Sequence, residues 1–445
     1  MNKVMSFMFA LLFGMGGYWT TEMNVMTTTD ITQVIPTHWL AKIVNDAGLQ
    51  ELGSQLSGAE GSKACIVDKT GPLSKDGDYL NIQTKGHLRG AGRTGTSVLK
   101  SYEEKLPYGQ YSVSCTRIRH AVAFDWLADK QSMVKQADEI GESLSDWLAR
   151  YRDGSWMITA RDSGANTSYA NGAASAAALT SAGIAGTGGN NTFGANDLQT
   201  LYLTLLRGGA GPIETSTEQG RDTPVFTAVF GEVEEYYLSK DTALMQDLRS
   251  ALAAVGQKGP IFKGALGMYH NMILLPYRSI LSFKQGTALR PETVLLATLT
   301  TTATVVSVGA TTVSTGTGPD FTKFFASTGT IQIDDEAMTY TSKTVNSFAD
   351  VTRGAAGDAI QHVPGALVTQ GCIATVIGLG AGAIARANGS NPKMIKQVDD
   401  YEGQNGLGIE AYFGNVVAED SDGNIPGVAL MKVYSPNPSG TTATV

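Results

Sequence analysis

Two segments of alternating polar and apolar residues, separated by a long polar connection, constrain this chain more than any other feature of its sequence. Polar and apolar side chains alternate from Tyr79 to Thr84 with the period of a strand that buries one face. The segment from Tyr108 to Phe124 alternates similarly, and we interpret it as one second strand. Gly90–Lys105, between them, is polar and rich in glycine. This pattern predicts an extended hairpin that projects from the body of the protein.

The connection contains the stretch GAGRTGTS, Gly90–Ser97, which nearly matches the phosphate-binding loop pattern G-x-x-x-x-G-K-[ST]. Thr96 stands where that pattern requires a lysine. A phosphate-binding loop also opens directly into a helix, whereas Pro107 and Gly109 end any helix early here. We therefore interpret the stretch as backbone of the hairpin tip, and we expect no nucleotide and no other cofactor.

A long amphipathic helix is predicted after the second alternating segment. Its apolar residues recur at spacings of three and four and are Val134, Ala137, Ile140, Leu144, Trp147, Leu148 and Tyr151. Gly154 is predicted to end this helix. The acidic residues Asp138, Glu139, Glu142 and Asp146 could be catalytic, but such a run is usually a solvated helix face, and we adopt that interpretation.

Elsewhere the pattern alternates between helices and strands. It predicts a short helix around Thr37–Glu51, a helix from Asn196, buried strands at Thr223–Val229 and Met272–Leu275, and a turn at Asp422-Gly423 between two late strands. The segment from Cys372 to Gly389 could be a buried strand or the start of a helix.

From about Thr293 to Gln370 the chain becomes rich in threonine and valine. Short β-branched runs separated by Gly, Asn and Asp predict a small all-β module. Asp334, Asp335 and Glu336 suggest a cation site, but adjacent residues on a strand point to opposite faces, so we expect no metal there. We interpret His362 as a turn residue.

Composition and motifs disfavour several classes of protein. The formal net charge of −8 argues against a general affinity for nucleic acid. Cys65, Cys115 and Cys372 lie far apart, which disfavours a disulfide framework and a zinc site. The chain lacks a nucleophile elbow, an H-E-x-x-H motif and a dinucleotide fingerprint, so we expect no catalytic residues. An apolar run at Met5–Met15 resembles a signal peptide, and an over-extended reading frame or a mobile arm explains it equally well.

The order of these segments resembles the major capsid proteins of tailed double-stranded DNA phages, in a podovirus-like branch of the Hong Kong phage-type fold. The most specific landmark is Pro260–Tyr269, containing FKGALGMY. The others are Gly77-Asp78, Leu88-Arg89-Gly90, Leu99–Leu106, the strand with Arg117 and Arg119, the long helix, and Asp400–Gly414.

The resemblance implies an α+β fold with peripheral and axial domains, an extended loop (E-loop), a spine helix and an inserted small all-β domain. The implied boundaries are an N-terminal arm at 1–72, the E-loop at 73–118, and the peripheral domain with its spine helix at 119–223. The axial domain begins at 224–292, the inserted β-rich surface domain occupies 293–371, and residues 372–445 complete the axial and peripheral domains.

The resemblance also implies a coat protein that assembles into pentamers and hexamers of an icosahedral shell. Its location would be the virion, after assembly in the host cytoplasm, without a membrane. It would enclose double-stranded DNA without reading sequence and would meet a portal, and scaffold or cement proteins are further candidate partners. The candidate intersubunit contacts are Arg89, Arg93, Tyr102, Glu103, Glu104, Lys105, Arg117 and Arg119. The alternatives are a secreted or surface-anchored β-rich adhesion protein and, with least support, a hydrolase with spatially assembled carboxylates.

Overall fold

The computed structural model describes residues 51–69, 79–94, 100, 103–125, 136–163, 166–176, 178–179, 191–218, 221–241, 244–246, 267–277, 289–309, 320–333, 336–354, 359–370, 373–399 and 404–435. The described residues belong to two compact units. Unit 1 takes its residues from Glu51 and the segments 115–151 and 388–413, and unit 2 takes the others. The helix predicted around Thr37–Glu51 lies outside the described residues, apart from Glu51, which is not helical.

Four helices longer than one turn and twenty-one strands are named here in chain order. The helices are α1 (Leu52–Leu56), α2 (Gln136–Arg161), α3 (Ala195–Gly208) and α4 (Glu232–Lys240). The strands are β1 (Ser57–Ala59), β2 (Ile66–Lys69), β3 (Tyr79–Lys85), β4 (Tyr108–Ser114), β5 (Thr116–Asp125), β6 (Asn166–Tyr169), β7 (Glu214–Glu218), β8 (Arg221–Gly231), β9 (Gly267–Tyr269), β10 (Met272–Tyr277), β11 (Glu292–Val294), β12 (Val306–Ser307), β13 (Gly329–Ile333), β14 (Glu336–Tyr340), β15 (Ser342–Lys343), β16 (Ser347–Ala349), β17 (Leu367–Thr369), β18 (Ile373–Leu379), β19 (Ile384–Asp399), β20 (Gln404–Val417) and β21 (Val428–Tyr434).

The core of unit 1 lies between the first part of α2 and the strands β5 and β20. These two strands are antiparallel, with Phe413 opposite Thr116 at one end of the ladder. Alternate residues of β20 face the helix, as the strand period requires. The buried core residues are Ile140, Leu144, Leu148, Leu407, Ile409, Ala411 and Phe413. His120 stacks on Trp147 with the ring centroids 4.6 Å apart.

The single strand predicted from Tyr108 to Phe124 is wrong, because the chain forms two strands there. β4 pairs with β3, whereas β5 pairs with β20. The division falls at Cys115, which is buried and belongs to neither strand. Polar and apolar residues alternate in β4 and in β5, so the local sequence pattern does not show that the two segments pair with different strands.

The helix α2 does not end at Gly154, as the sequence predicted, but continues to Arg161. A Cβ on Gly154 would lie 3.1 Å from Cε1 of Phe324, so the glycine lets this aromatic ring approach the helix closely. Beyond Gly154, Trp156, Met157 and Ala160 are fully buried in the core of unit 2. The glycine therefore marks a close contact within the helix rather than its end.

The largest sheet of unit 2 has the strand order β6-β21-β18-β8-β10-β9, with β7 paired to β8. The predicted strands at Thr223–Val229 and Met272–Leu275 are confirmed as β8 and β10, and the segment after Cys372 is a strand, β18. The helix predicted from Asn196 is confirmed as α3, whose Leu198, Leu201 and Leu205 are fully buried.

The described elements from Glu292 to Thr369 are all strands, as the composition predicted. One sheet has the order β11-β17-β13-β14 and the other β12-β16-β15. They enclose a core of their own, in which Phe348 contacts the rings of Phe325 and Tyr340. We call the residues 292–369 the β-module.

A cluster of buried ionic groups lies inside the β-module. The guanidinium of Arg353 donates to both carboxylate oxygens of Glu336, at 3.0 and 2.5 Å, and both side chains are about 95% buried. The backbone N–H of Ile360 donates to Oε2 of Glu336 at 3.0 Å, and Nε2 of His362 lies 3.0 Å from the same oxygen. The prediction that His362 is a turn residue is wrong, because its backbone pairs with Leu299 in a β-bridge and its ring is buried.

The β-module is attached to the end of α2 through the backbone of residues 322–325. Nη1 of Arg161 donates to the carbonyl of Phe324 at 2.8 Å. Nζ of Lys343 donates to the carbonyls of Thr322 and Phe325 at 2.6 and 2.7 Å. Burial is the largest influence on the pKa of Lys343, and it lowers that pKa. Lys343 therefore holds this short segment within the β-module, and Arg161 joins the segment to the helix.

We expect Arg161→Met to lower the free energy of unfolding by about 1–3 kcal/mol, because a hydrogen bond from a charged donor to a part-buried carbonyl is lost. Thermal or urea denaturation measures the change. Arg150→Met serves as the control, since Arg150 forms an exposed pair with Asp146 at 3.9 Å and should change stability by less than about 1 kcal/mol. Equal effects of the two variants would contradict the attachment.

Candidate interaction surface at the hairpin

The pairing of the two strands of the predicted hairpin is confirmed, with the second strand ending at Ser114. β3 and β4 form a separate two-stranded antiparallel sheet, with Tyr79 opposite Ser114 and Lys85 opposite Tyr108. One face of this ribbon is exposed along its whole length, and Tyr79 and Tyr108 are 69% and 70% exposed on it. An isolated two-stranded ribbon is at best marginally stable in water. An exposed ribbon carrying two aromatic side chains is suited to contact another surface.

The beginning of GAGRTGTS binds a carboxylate of the same chain. Oε1 of Glu104 accepts the backbone N–H of Arg89, and Oε2 accepts that of Gly90, both at 2.7 Å. These two hydrogen bonds lower the pKa of Glu104, with the bond from Arg89 as the largest cause. Glu104 thus occupies the two backbone N–H groups at the start of this stretch. Residues 95–99, the rest of the predicted tip, lie outside the described residues.

We expect Glu104→Gln to accelerate hydrogen exchange at the amides of Arg89 and Gly90, because the charge on the acceptor is lost. Glu103→Gln is the control, since that side chain accepts neither N–H. In the wild-type chain the protection should be complete above the ordinary pKa of a glutamate. It should be lost as the pH falls through the lowered pKa of Glu104, because protonation removes the same charge. Unchanged exchange in Glu104→Gln would contradict the contact.

The other predicted contact residues of the connection lie at the surface. The guanidinium of Arg89 pairs with Asp422 at 2.5 Å, and its side chain is 72% exposed. Arg93, Glu103 and Lys105 are exposed as well. Tyr102 lies outside the described residues.

Arg117 and Arg119 belong to β5 of unit 1, on the face opposite the core. Nη2 of Arg117 donates to Oε2 of Glu410 at 2.5 Å, and Nζ of Lys393 lies 3.4 Å from Oε1 of the same carboxylate. The hydrogen bond from Arg117 is the largest cause that lowers the pKa of Glu410. Arg119 is exposed and lies opposite Glu410 in the strand register.

The structure thus separates the candidates between the two units, and Arg89, Glu104 and Arg117 are among those that contact their own chain. The partners Asp422, Lys393 and Glu410 were missed, because only the fold brings them close. Glu410 is separated from Arg117 by 293 residues, a distance at which no local pattern operates.

Two searches of the described residues bear on other functions. They contain no group of three or more His, Cys, Asp or Glu side chains that could hold a metal ion. No described helix is long and apolar enough to cross a membrane.

No protein-family model and no curated protein matches the chain, but its fold is similar to that of solved phage structures. The chain in "Capsid of Ralstonia phage GP4" is 16% identical with a TM-score of 0.54, over 96% of this chain and 98% of that chain. The head structure of Helicobacter pylori bacteriophage KHP40 gives 12% identity and a TM-score of 0.56, over 87% and 92%. The cyanophage Pam1 capsid gives 15% and 0.53, over 95% and 98%. The α+β fold of phage capsid chains, which the sequence predicted, is therefore confirmed.

Proposed function

We propose that this chain is the major capsid protein of a tailed double-stranded DNA phage. One observation supports the proposal most strongly, namely a shared fold over nearly the full length of both this chain and the capsid chain of the Ralstonia phage. Agreement over a whole chain of 445 residues, rather than over one module, favours a shell-forming role over the adhesion alternative. It also favours a structural role over a catalytic one.

In this role the chain would assemble into pentamers and hexamers of an icosahedral shell in the host cytoplasm and remain in the virion. Portal, scaffold and cement proteins would be its partners. The net charge of −8 suits a wall that repels packaged DNA and lets it slide. Unit 1 with the first part of α2 would be the peripheral domain, the largest sheet of unit 2 the axial domain, and the β-module an outer surface domain.

The hairpin would be the E-loop and would lie across the neighbouring subunit. The charged candidates Arg89, Arg93, Glu103, Glu104, Lys105, Arg117 and Arg119 would then take part in charge pairs between subunits. An exposed ion pair contributes only about 0–1 kcal/mol, so the stability of the shell would come from repetition of the same contact at many interfaces.

Sedimentation velocity of the purified full chain tests the proposal. We expect species of megadalton mass, or discrete pentamers and hexamers that convert to them as concentration rises. A monomer that persists at every concentration and ionic strength, alone and with co-expressed phage assembly proteins, would contradict a shell-forming role.

A further inference from the structure

The root of the hairpin rests on a turn from a distant part of the chain. This turn, residues 418–427, connects β20 to β21. It is fixed at both ends, because the N–H of Ala418 donates to the carbonyl of Ala383 at 2.9 Å, and the carbonyl of Gly427 accepts the N–H of Gly380 at 2.8 Å. We call residues 418–427 the brace turn. The hairpin and the brace turn both belong to unit 2.

The tip of the brace turn is held in one conformation by Asp420. Its Oδ1 accepts the backbone N–H groups of Asp422 and Asn424, both at 2.8 Å, and its Oδ2 accepts Nδ2 of Asn424 at 3.2 Å. Gly423 has a φ of 78°, a conformation that glycine adopts without strain. These contacts make Ser421 the fixed apex of the turn.

Ser421 fits against two glycines at the root of the hairpin. A Cβ on Gly109 would lie 2.7 Å from Cα of Ser421, and one on Gly86 would collide with Oγ of Ser421. The N–H of Gly86 donates to the carbonyl of Pro107 at 2.9 Å, which closes the ladder at this point. Neither glycine has a positive φ, so close approach rather than backbone conformation explains them. A larger side chain at Gly86 or Gly109 would push the hairpin away from the turn.

Charged and polar groups extend the same contact on both sides of Ser421. Arg89, at the outer side of the root, pairs with Asp422 at 2.5 Å. The pKa of Tyr111 in β4 is raised mainly by burial. The negative charge of Glu419 raises it further. The close approach of Gly86 and Gly109 to Ser421 and the ion pair from Arg89 join the hairpin to this turn, so a swing of the hairpin would break these three contacts together.

We propose that the brace turn sets the angle at which the hairpin leaves the body, and that this angle determines the curvature and so the size of the assembled shell. The second part rests on the proposed function. If a hairpin reaches a neighbouring subunit, a small change of angle at its root becomes a larger displacement at its tip. Repetition around a closed shell would turn that displacement into a different number of subunits or into failure to close.

Gly109→Val is the direct test, with Gly92→Val as the matched control. Among the described residues, no atom lies within 4 Å of a Cβ on Gly92, and Gly92 has no positive φ, so the control adds the same volume to the same connection without touching the turn. In the single subunit we expect Gly109→Val to lose the hydrogen-exchange protection of residues 86–90 and 420–424. Far-UV circular dichroism should stay unchanged. Gly92→Val should behave like the wild type.

Assembled particles give the second measurement. We expect Gly109→Val to shift the particle diameter or to give open sheets, while Gly92→Val gives particles of wild-type diameter. Wild-type diameter together with wild-type protection in Gly109→Val would overturn the proposal. If Gly109→Val fails to fold, Asp420→Ala is the second variant, because it loosens the brace turn without adding volume beside Ser421. It should show the same loss of protection at residues 86–90.

The two parts can fail separately. If the wild-type chain forms no particles, alone and with co-expressed phage assembly proteins, the proposed function fails, but the exchange measurement on single subunits still tests the brace. If particles form and protection is lost in Gly109→Val while their diameter stays constant, the control of shell size is overturned.

Discussion

A chain in which the four residues Gly-Asn-Gly-Thr replace residues 86–107 is expected to fold but not to assemble. The N–H of Gly86 donates to the carbonyl of Pro107, so these two positions form a hydrogen-bonded pair of the ladder, and a two-residue Asn-Gly turn can close the ladder between them. The core residues of both units lie outside the removed segment, so we expect the far-UV circular dichroism and the melting temperature to change little. The loss of the surface that would reach a neighbour should abolish closed particles.

The control for this variant is a Gly/Ser linker of the same length in place of residues 86–107. It keeps the reach of the connection but removes Arg89, Glu104 and the other charged groups. We expect it to assemble poorly or not at all, which would show that the side chains matter as well as the length. Closed shells from the Asn-Gly variant would refute the assignment of the hairpin as the contact between subunits.

Replacing Glu336 by Gln should lower the free energy of unfolding by about 3–5 kcal/mol, because it leaves the charge of Arg353 buried without its partner. The glutamine has nearly the same volume, so the loss reflects the charge rather than a cavity. Chemical denaturation followed by far-UV circular dichroism measures the change. Glu60→Gln is the control, because Glu60 is 71% exposed and pairs with Lys69 at the surface, where about 0–1 kcal/mol is expected.

The contribution of Glu336 should also depend on pH in a defined direction. Burial raises its pKa, but the hydrogen bonds from Arg353, Ile360 and His362 outweigh burial and lower the pKa to about 2. A lowered folded-state pKa stabilises the protein fully above the unfolded-state value of about 4.5, and this stabilisation is lost as the pH falls towards 2. The difference between the wild type and Glu336→Gln should therefore be constant at neutral pH and shrink below pH 4.5. A difference that persists at pH 2 would contradict the ionic contribution.

Local patterns predicted those elements whose signal lies within one segment. The leucines of α3 recur at helical spacing, and the β-module consists of short β-branched runs. Both signals lie within single segments of the sequence, so both elements were predicted correctly. The hairpin was predicted because a polar connection separates two alternating segments. By contrast, the division at Cys115 was missed, because alternation continues on both sides while the hydrogen-bonding partner changes. Gly154 was misinterpreted because a glycine that ends a helix and one that admits a ring look alike in sequence.

The candidate surface was predicted only in part, for a similar reason. Glycines and charges of the connection are visible in the sequence, but the contacts that organise them come from far along the chain. Ser421 fits against Gly86 and Gly109 because the connection between β20 and β21 passes the root of the hairpin. The buried cluster of Glu336 depends likewise on residues 353–362, which the fold of the β-module brings to β14.

Electron microscopy of the purified, full-length chain tests the central claim most directly. The account predicts closed shells, or rings of five and six subunits, whose class averages show a hairpin from each subunit lying on the next. Dispersed single chains that circular dichroism shows to be folded, both alone and after co-expression with phage assembly proteins, would contradict a capsid role and return the adhesion hypothesis to consideration.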